Sequence, residues 1–115
     1  MRLVHRHDGR ERVLANEVEV ADSFLSRARG LMFRRSIPDD YALAFPFDAP
    51  VTRSLHMVGV PFDVDAVWTV EGEVTKAKRL PAWTGLGRTT ADVVYELPAG
   101  AADDVGPGHE VVLVD

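Results

Sequence analysis

The sequence predicts an α+β fold that is mostly β: a compact, barrel-like sheet, antiparallel or mixed, of about six to seven strands, with one main helix and one short helix. Three observations lead there. Short apolar runs are broken by glycine, proline and acidic turn residues along most of the chain, the signature of many short strands. Residues 62–70 alternate, with Phe62, Val64, Ala66, Trp68 and Val70 on one face and Asp63, Asp65, Val67 and Thr69 on the other, because successive side chains of a strand point to opposite faces. Apolar residues at helical spacing are concentrated in one stretch, Phe24, Leu25, Ala28, Leu31 and Met32, which would bury one helix face against the sheet.

Taken in order, residues 2–7 and 11–20 predict a hairpin across Asp8-Gly9, a two-residue turn in which both positions tolerate positive φ. In its second arm, Glu17-Val18-Glu19-Val20 has the period of a half-buried strand. Asp22-Ser23 caps the main helix, since their side-chain oxygens accept orphan backbone N–H groups. Gly30 ends that helix or permits close backbone approach, and Arg34-Arg35 suit its dipole. Residues 41–47 read as a strand in which Pro46 marks an edge or a bend, and residues 53–57 as a further short strand. Glu71-Gly72 turns residues 62–70 back into a strand over 73–80. Residues 81–90 read as a loop carrying Trp83, and 92–97 as a strand. Residues 98–105 read as the short helix, favoured by Ala99, Ala101 and Ala102, and 109–114 as the last strand.

At 115 residues the chain is read as a single domain, 1–115, since one core takes about 100–150 residues. It has no cysteine, which excludes disulfides, zinc ribbons, iron–sulfur clusters and thiol catalysis. No apolar run approaches the roughly 18 residues that span a bilayer, and residues 1–10 are too polar for a secretory signal, so no membrane association and a cytoplasmic location are expected. The net charge of −5 and a pI near 5.3 argue against nucleic acid as a partner, because a nucleic-acid surface is a basic one. No phosphate loop, dinucleotide fingerprint or His-Glu-x-x-His helix is present, so no cofactor and no metal are expected.

Three segments together resemble one known family. They are Ala28-Arg29-Gly30-Leu31-Met32-Phe33-Arg34, then His56-Met57 through Asp65-Ala66-Val67-Trp68 to Glu71-Gly72-Glu73-Val74, then Tyr95-Glu96-Leu97-Pro98-Ala99-Gly100 with Gly108-His109-Glu110-Val111 behind it. In this order and spacing they are similar to domain of unknown function 192, over about residues 10–114. The chain departs from the family pattern at Asp63, where a proline is common, and at His109, where an aspartate is usual. The resemblance implies a compact, mostly β fold and no established activity.

Five residues are candidates for a ligand site: Arg29, His56, Asp65, Trp83 and Glu96. An aspartate within an apolar strand needs a partner, and an arginine can bind it bidentately, so Arg29 and Asp65 are read either as a structural pin or as a polar pair lining a pocket. His56 has the side chain best suited to proton transfer near neutrality, with Asp65 or Glu96 as its partner. Trp83 sits on a loop as a lid, a stacking platform or an anchor. Met32, Phe33, Phe45, Phe47, Phe62 and Trp68 would serve a ligand box or simply the core. Arg34, Arg35 and Arg53, with Thr52, could form a basic spot, and His5 and His7 with Asp8 could hold a metal weakly; ordinary surface charge and a solvated strand end are the preferred readings.

The reading that unites these residues is a small binding or accessory module with a pocket for a small polar ligand, such as a sugar or a carboxylate. Two alternatives stand beside it. One is a metal-independent hydrolase or isomerase using His/Asp acid–base chemistry, which lacks a recognisable nucleophile motif here. The other is a structural module whose edge strands pair with a partner.

Overall fold

A computed structural model describes residues 1–23 and 30–115. Eight strands occur among them: β1 (Arg2–His7), β2 (Arg10–Ala15), β3 (Glu17–Val20), β4 (Tyr41–His56), β5 (Val64–Val70), β6 (Glu73–Leu80), β7 (Leu86–Pro98) and β8 (Glu110–Val114). They form one mixed sheet in the order β2-β1-β8-β6-β5-β7-β4-β3. Neighbours are antiparallel except β3 and β4, which run parallel. β8 lies between β1 and β6, so the last strand in sequence is an interior one. No helix among the described residues is long and apolar enough to cross a membrane.

The described fold is all-β, which corrects the α+β expectation. The expected main helix falls largely on residues 24–29, outside the described residues; where its end is described, residues 30–33 are turn, with Gly30 at φ 51° and Phe33 at φ 69°. The short helix expected over 98–105 is a run of tight turns instead. Ala101, Asp103 and Val105 each donate to the carbonyl three residues back, while Gly100 at φ 98° breaks helical geometry. Alanine content favoured a helix there, but Asp65 captures the backbone first: its Oδ2 accepts from Gly100 N at 2.9 Å and from Ala102 N at 3.0 Å.

The sheet is open, not a closed barrel, because no ladder joins β2 to β3. Yet only Asn16 separates these two edge strands. One residue bridges at most about 7 Å, so the sheet must curl until its edges meet at a corner. Asp40 fixes that corner, its Oδ1 accepting from Asn16 N at 3.0 Å and its carbonyl from Glu17 N at 3.0 Å. The stretch 11–20 is therefore two strands serving opposite edges, rather than one hairpin arm. The Asp8-Gly9 turn forms as its residues require, with φ of 51° and 74°.

β4 unites the two strands expected at 41–47 and 53–57. Its register on β7 jumps between Pro46 and Val51, and there both strands bend. Beyond the bend, residues 51–56 and 86–91 form an arm that folds back over one face of β5 and β6. Trp68 on β5 donates its indole N–H to the Arg53 carbonyl at 3.0 Å. Side chains of β6 reach the arm's outer carbonyls, Thr75 to Thr90 at 2.8 Å and Lys78 to Leu86 at 2.8 Å. Gly87 lies so close to Trp68 that a Cβ there would sit 2.3 Å from the indole Cη2. The expected loop 81–90 thus contains five strand residues, and its glycine marks close packing rather than a turn.

The central strands bury both faces. Leu43, Phe45, Ala66, Trp68, Leu80 and Val94 pack on the face the arm covers. Leu3, Ala44, Val67, Tyr95, Leu97 and Val111 pack on the other. Strict alternation puts Glu96 with Val94 on the arm side and Asp65 with Val67 on the far side.

Candidate functional site

A cavity of about 640 Å³ opens between the folded-back arm and the sheet. Phe45, Val94 and Glu96 form its floor, Thr52 to His56 its roof, and Leu31, Met32 and Val60 a third wall. Phe47, Asp48 and Ala49, which the bend in β4 swings out of register, line it too. Gly30 closes over the deep end: a Cβ there would lie 3.4 Å from both Glu96 Oε1 and the Phe45 ring. A volume of this size matches small-molecule sites, which run to about 300–1,000 Å³.

Glu96 is the polar group at the bottom. It is only 4% exposed, and among the described residues no hydrogen bond to its carboxyl is present. Burial pushes its pKa up to about 7, against a smaller downward pull from Arg34. Arg34 is occupied elsewhere: it donates to Glu19 Oε1 at 2.7 Å and to the Tyr41 hydroxyl at 3.1 Å. Tyr41 in turn donates to Glu19 Oε1 at 2.5 Å, and burial raises its phenol well above the ordinary range.

Arg53 is the cation of the wall. Its guanidinium lies over the Phe47 ring, 3.7 Å from the centroid. Its Nε is buried with no hydrogen-bond partner, and no ion pair to its charge occurs among the described residues. Arg34 and Arg53 therefore do not form the single basic spot that their types suggest.

The candidate residues separate. His56 and Glu96 line the same cavity. His56 is exposed at the mouth, where its Nδ1 accepts from Val58 N at 3.2 Å. Asp65 is on the opposite face, where Arg79 Nε donates to its Oδ1 at 2.9 Å beside the two turn N–H groups. Trp83 is 59% exposed and does not line the cavity; its N–H donates to the Val60 carbonyl at 3.0 Å. Arg29 lies outside the described residues, so its pairing with Asp65 does too. Thr52 and Arg53, read as one possible basic spot, and Ser54 are cavity residues. Asp48 carried no sequence signal, because only the bend in β4 brings it there.

The histidines near the N-terminus do not converge on a metal. His5 Nε2 and His109 Nδ1 are 2.9 Å apart, and the His7 ring stacks on His109 with centroids 3.5 Å apart. Among the described residues no three His, Asp or Glu side chains form a metal-holding group.

Comparison with known proteins is decided by one match. The sequence profile of the DUF192 family, described as "Uncharacterized ACR", aligns with residues 4–113. The chain belongs to the DUF192 family. As a DUF192 member it is similar to UPF0127 proteins of archaea. It is 30% identical to one from Thermococcus sibiricus over 88% of this chain and 66% of that protein. It is also 30% identical to one from Pyrococcus horikoshii over 79% of this chain and 80% of that protein. A match to a Thermococcus gammatolerans UPF0127 protein, 33% identical, covers only 37% of that relative's length, so this chain spans about a third to two thirds of the two Thermococcus relatives.

Two crystal structures share the fold. A protein of unknown function from Novosphingobium aromaticivorans superposes with a TM-score of 0.84 at 19% identity, over 97% of this chain and 84% of that one. A protein from Sinorhizobium meliloti, provisionally described as a transcription regulator, gives 0.82 at 22%, over 96% and 91%. At such identities the likeness is one of fold alone.

Proposed function

We propose that this DUF192 chain is a binding module that holds a small polar organic ligand in the cavity between the arm and the sheet. One observation carries the reading: a buried carboxyl without a described hydrogen-bond partner faces a cavity whose floor is otherwise apolar. A ligand that brings a hydrogen-bond donor to that carboxyl makes a charge-assisted bond in a partly enclosed site, where such bonds are strong. Trp83, outside the cavity, and Asp65, engaged on the far face, fall away from the ligand set; His56 stays as a mouth residue. The net charge of −5 supports a partner other than nucleic acid.

The test is thermal unfolding against panels of sugars, carboxylates and amines, run beside Leu55→Trp, which fills the cavity. A ligand at 100 times its Kd adds about 2.7 kcal/mol, so one panel should raise Tm in the wild type and leave the variant unmoved. Silence of all three panels overturns the proposal.

A second reading has its own observation. A carboxyl titrating near neutrality in a cavity suits acid–base catalysis, with Glu96 in that role. An activity lost in Glu96→Gln, with ligand binding retained, would favour it.

A further inference from the structure

The cavity's polar groups specify the chemistry of its occupant. We infer that the occupant is a small amine, its protonated nitrogen seated on the Glu96 carboxylate beside the Phe45 ring, with any acidic group at its other end directed to Arg53. This deepens the binding reading above and rests on it.

The argument begins with charge. Among the described residues, Arg34 from the segment before β4 acts on Glu96, Arg34 also holds Tyr41, and Asp48, Arg53 and His56 from β4 line the same cavity. On β5 the register partner of Glu96 is Ala66, which carries no charge. Arg34 and Tyr41 are committed to Glu19. Asp48 is exposed and negative, His56 is at the mouth, and Arg53 rests on Phe47. Among the described residues the deep end therefore offers an acceptor and an aromatic ring with no free cation. A carboxylate plus an aromatic ring is the pairing that recognises ammonium groups. A ligand carboxylate in the same place would meet a second, buried carboxyl, which is favoured only while one of them stays protonated.

Charge then fixes the sign of the pH dependence. Glu96 must ionise to pair with an ammonium, and it titrates at about 7. Affinity for an amine, itself charged throughout this range, should rise about tenfold from pH 6 to pH 8, with proton release on binding. A carboxylate ligand would show the opposite slope and take up a proton.

The experiment is calorimetric titration of the full chain with three homologous series, n-alkylamines, n-alkanoates and ω-amino acids, with glucose as a neutral control, at pH 6, 7 and 8. Expected are binding of amines with rising affinity, proton release in paired buffers, and loss of at least tenfold in Glu96→Gln. Arg53→Met should weaken the ω-amino acids and spare the alkylamines. Alkanoates binding more tightly than amines, or glucose binding without proton exchange, overturns the inference and leaves the cavity reading standing. Silence of every probe here and in the thermal panels overturns both. Unfolding curves of Glu96→Gln keep the result interpretable, since the neutral amide is expected to fold at least as well as the acid.

Discussion

A glutamic acid buried in a cavity floor and a histidine buried in a strand respond to protons with opposite signs, because burial penalises the charged form of each. Glu96 has a folded pKa of about 7 against an ordinary value of 4.5. Between these values the folded state keeps a proton the unfolded state has released, so stability is fully present below about 4.5 and is lost as pH rises through 7. The loss is about 3 kcal/mol. In Glu96→Gln that decline should vanish, leaving the variant more stable than wild type by about this amount at pH 8 and nearly equal to it at pH 4.5. Urea unfolding at the two pH values checks it, and equal stability at pH 8 would mean the carboxyl is already solvated. His5 is lowered from 6.5 by burial, then by His109, Arg12 and His7, with Asp104 opposing. Its contribution is present above 6.5 and is lost as pH falls through the lowered folded value, so His5→Gln should lessen the loss of stability on acidification below pH 6.5. Asp65 acts at the same scale through hydrogen bonds. Asp65→Ala strands two turn N–H groups and should cost about 2–4 kcal/mol. Arg79→Met removes a half-exposed partner and should cost much less, because solvent screens that pair. Equal losses in chemical denaturation would show that the ion pair, not the turn, is what Asp65 secures.

At the scale of elements, the arm of β4 and β7 makes the cavity, and Trp68 with Gly87 holds the arm down. Trp68 is fully buried, and the Gly87 backbone lies directly on its indole. Gly87→Ala drives a methyl into the indole and should cost about 1–3 kcal/mol. Because the arm is the roof of the site, the same variant should weaken ligand binding though it touches no ligand; a destabilised variant with intact affinity would separate arm from site. This element was hidden in the sequence for a physical reason. Gly85 and Gly87 look like loop residues when only local conformation is considered. The constraint that makes Gly87 a strand residue is a tryptophan 19 positions earlier, and no local pattern records it. Phe33 and Trp83 were hidden in the same way. Both are large, exposed, and held at φ 69° and 67°, a left-handed backbone that bulky residues rarely adopt, fixed here by hydrogen bonds to the carbonyls of Gly59 and Val60.

For the whole molecule, what could be read from residues was the part set by short-range physics. Alternation located β5 and β3, the Asp8-Gly9 and Glu71-Gly72 turns located two chain reversals, and Pro46 marked the bend in β4. Glu96 and His56, singled out as an acid and an imidazole, line one cavity. What could not be read was which strands adjoin. That Asn16 carries the chain from one sheet edge to the other, and that Asp65 and Glu96 end on opposite faces of the sheet, follow from pairings across the chain. Alanine content misled at 98–105 because Asp65, more than 30 positions away, satisfies the backbone there.

The placing of β8 between β1 and β6 has a consequence in time. A ribosome adds about 5–20 residues per second, so the hairpin made first waits roughly 5–20 s before residues 110–114 exist to join it to the rest of the sheet. A lone hairpin is marginal in water, and this one carries Leu3 and Val4, both completely enclosed once the fold is finished. During that interval their open strand edge is available to any neighbouring nascent chain. The newborn polypeptide, rather than the completed sheet, is where this sequence is most exposed to association with its own copies.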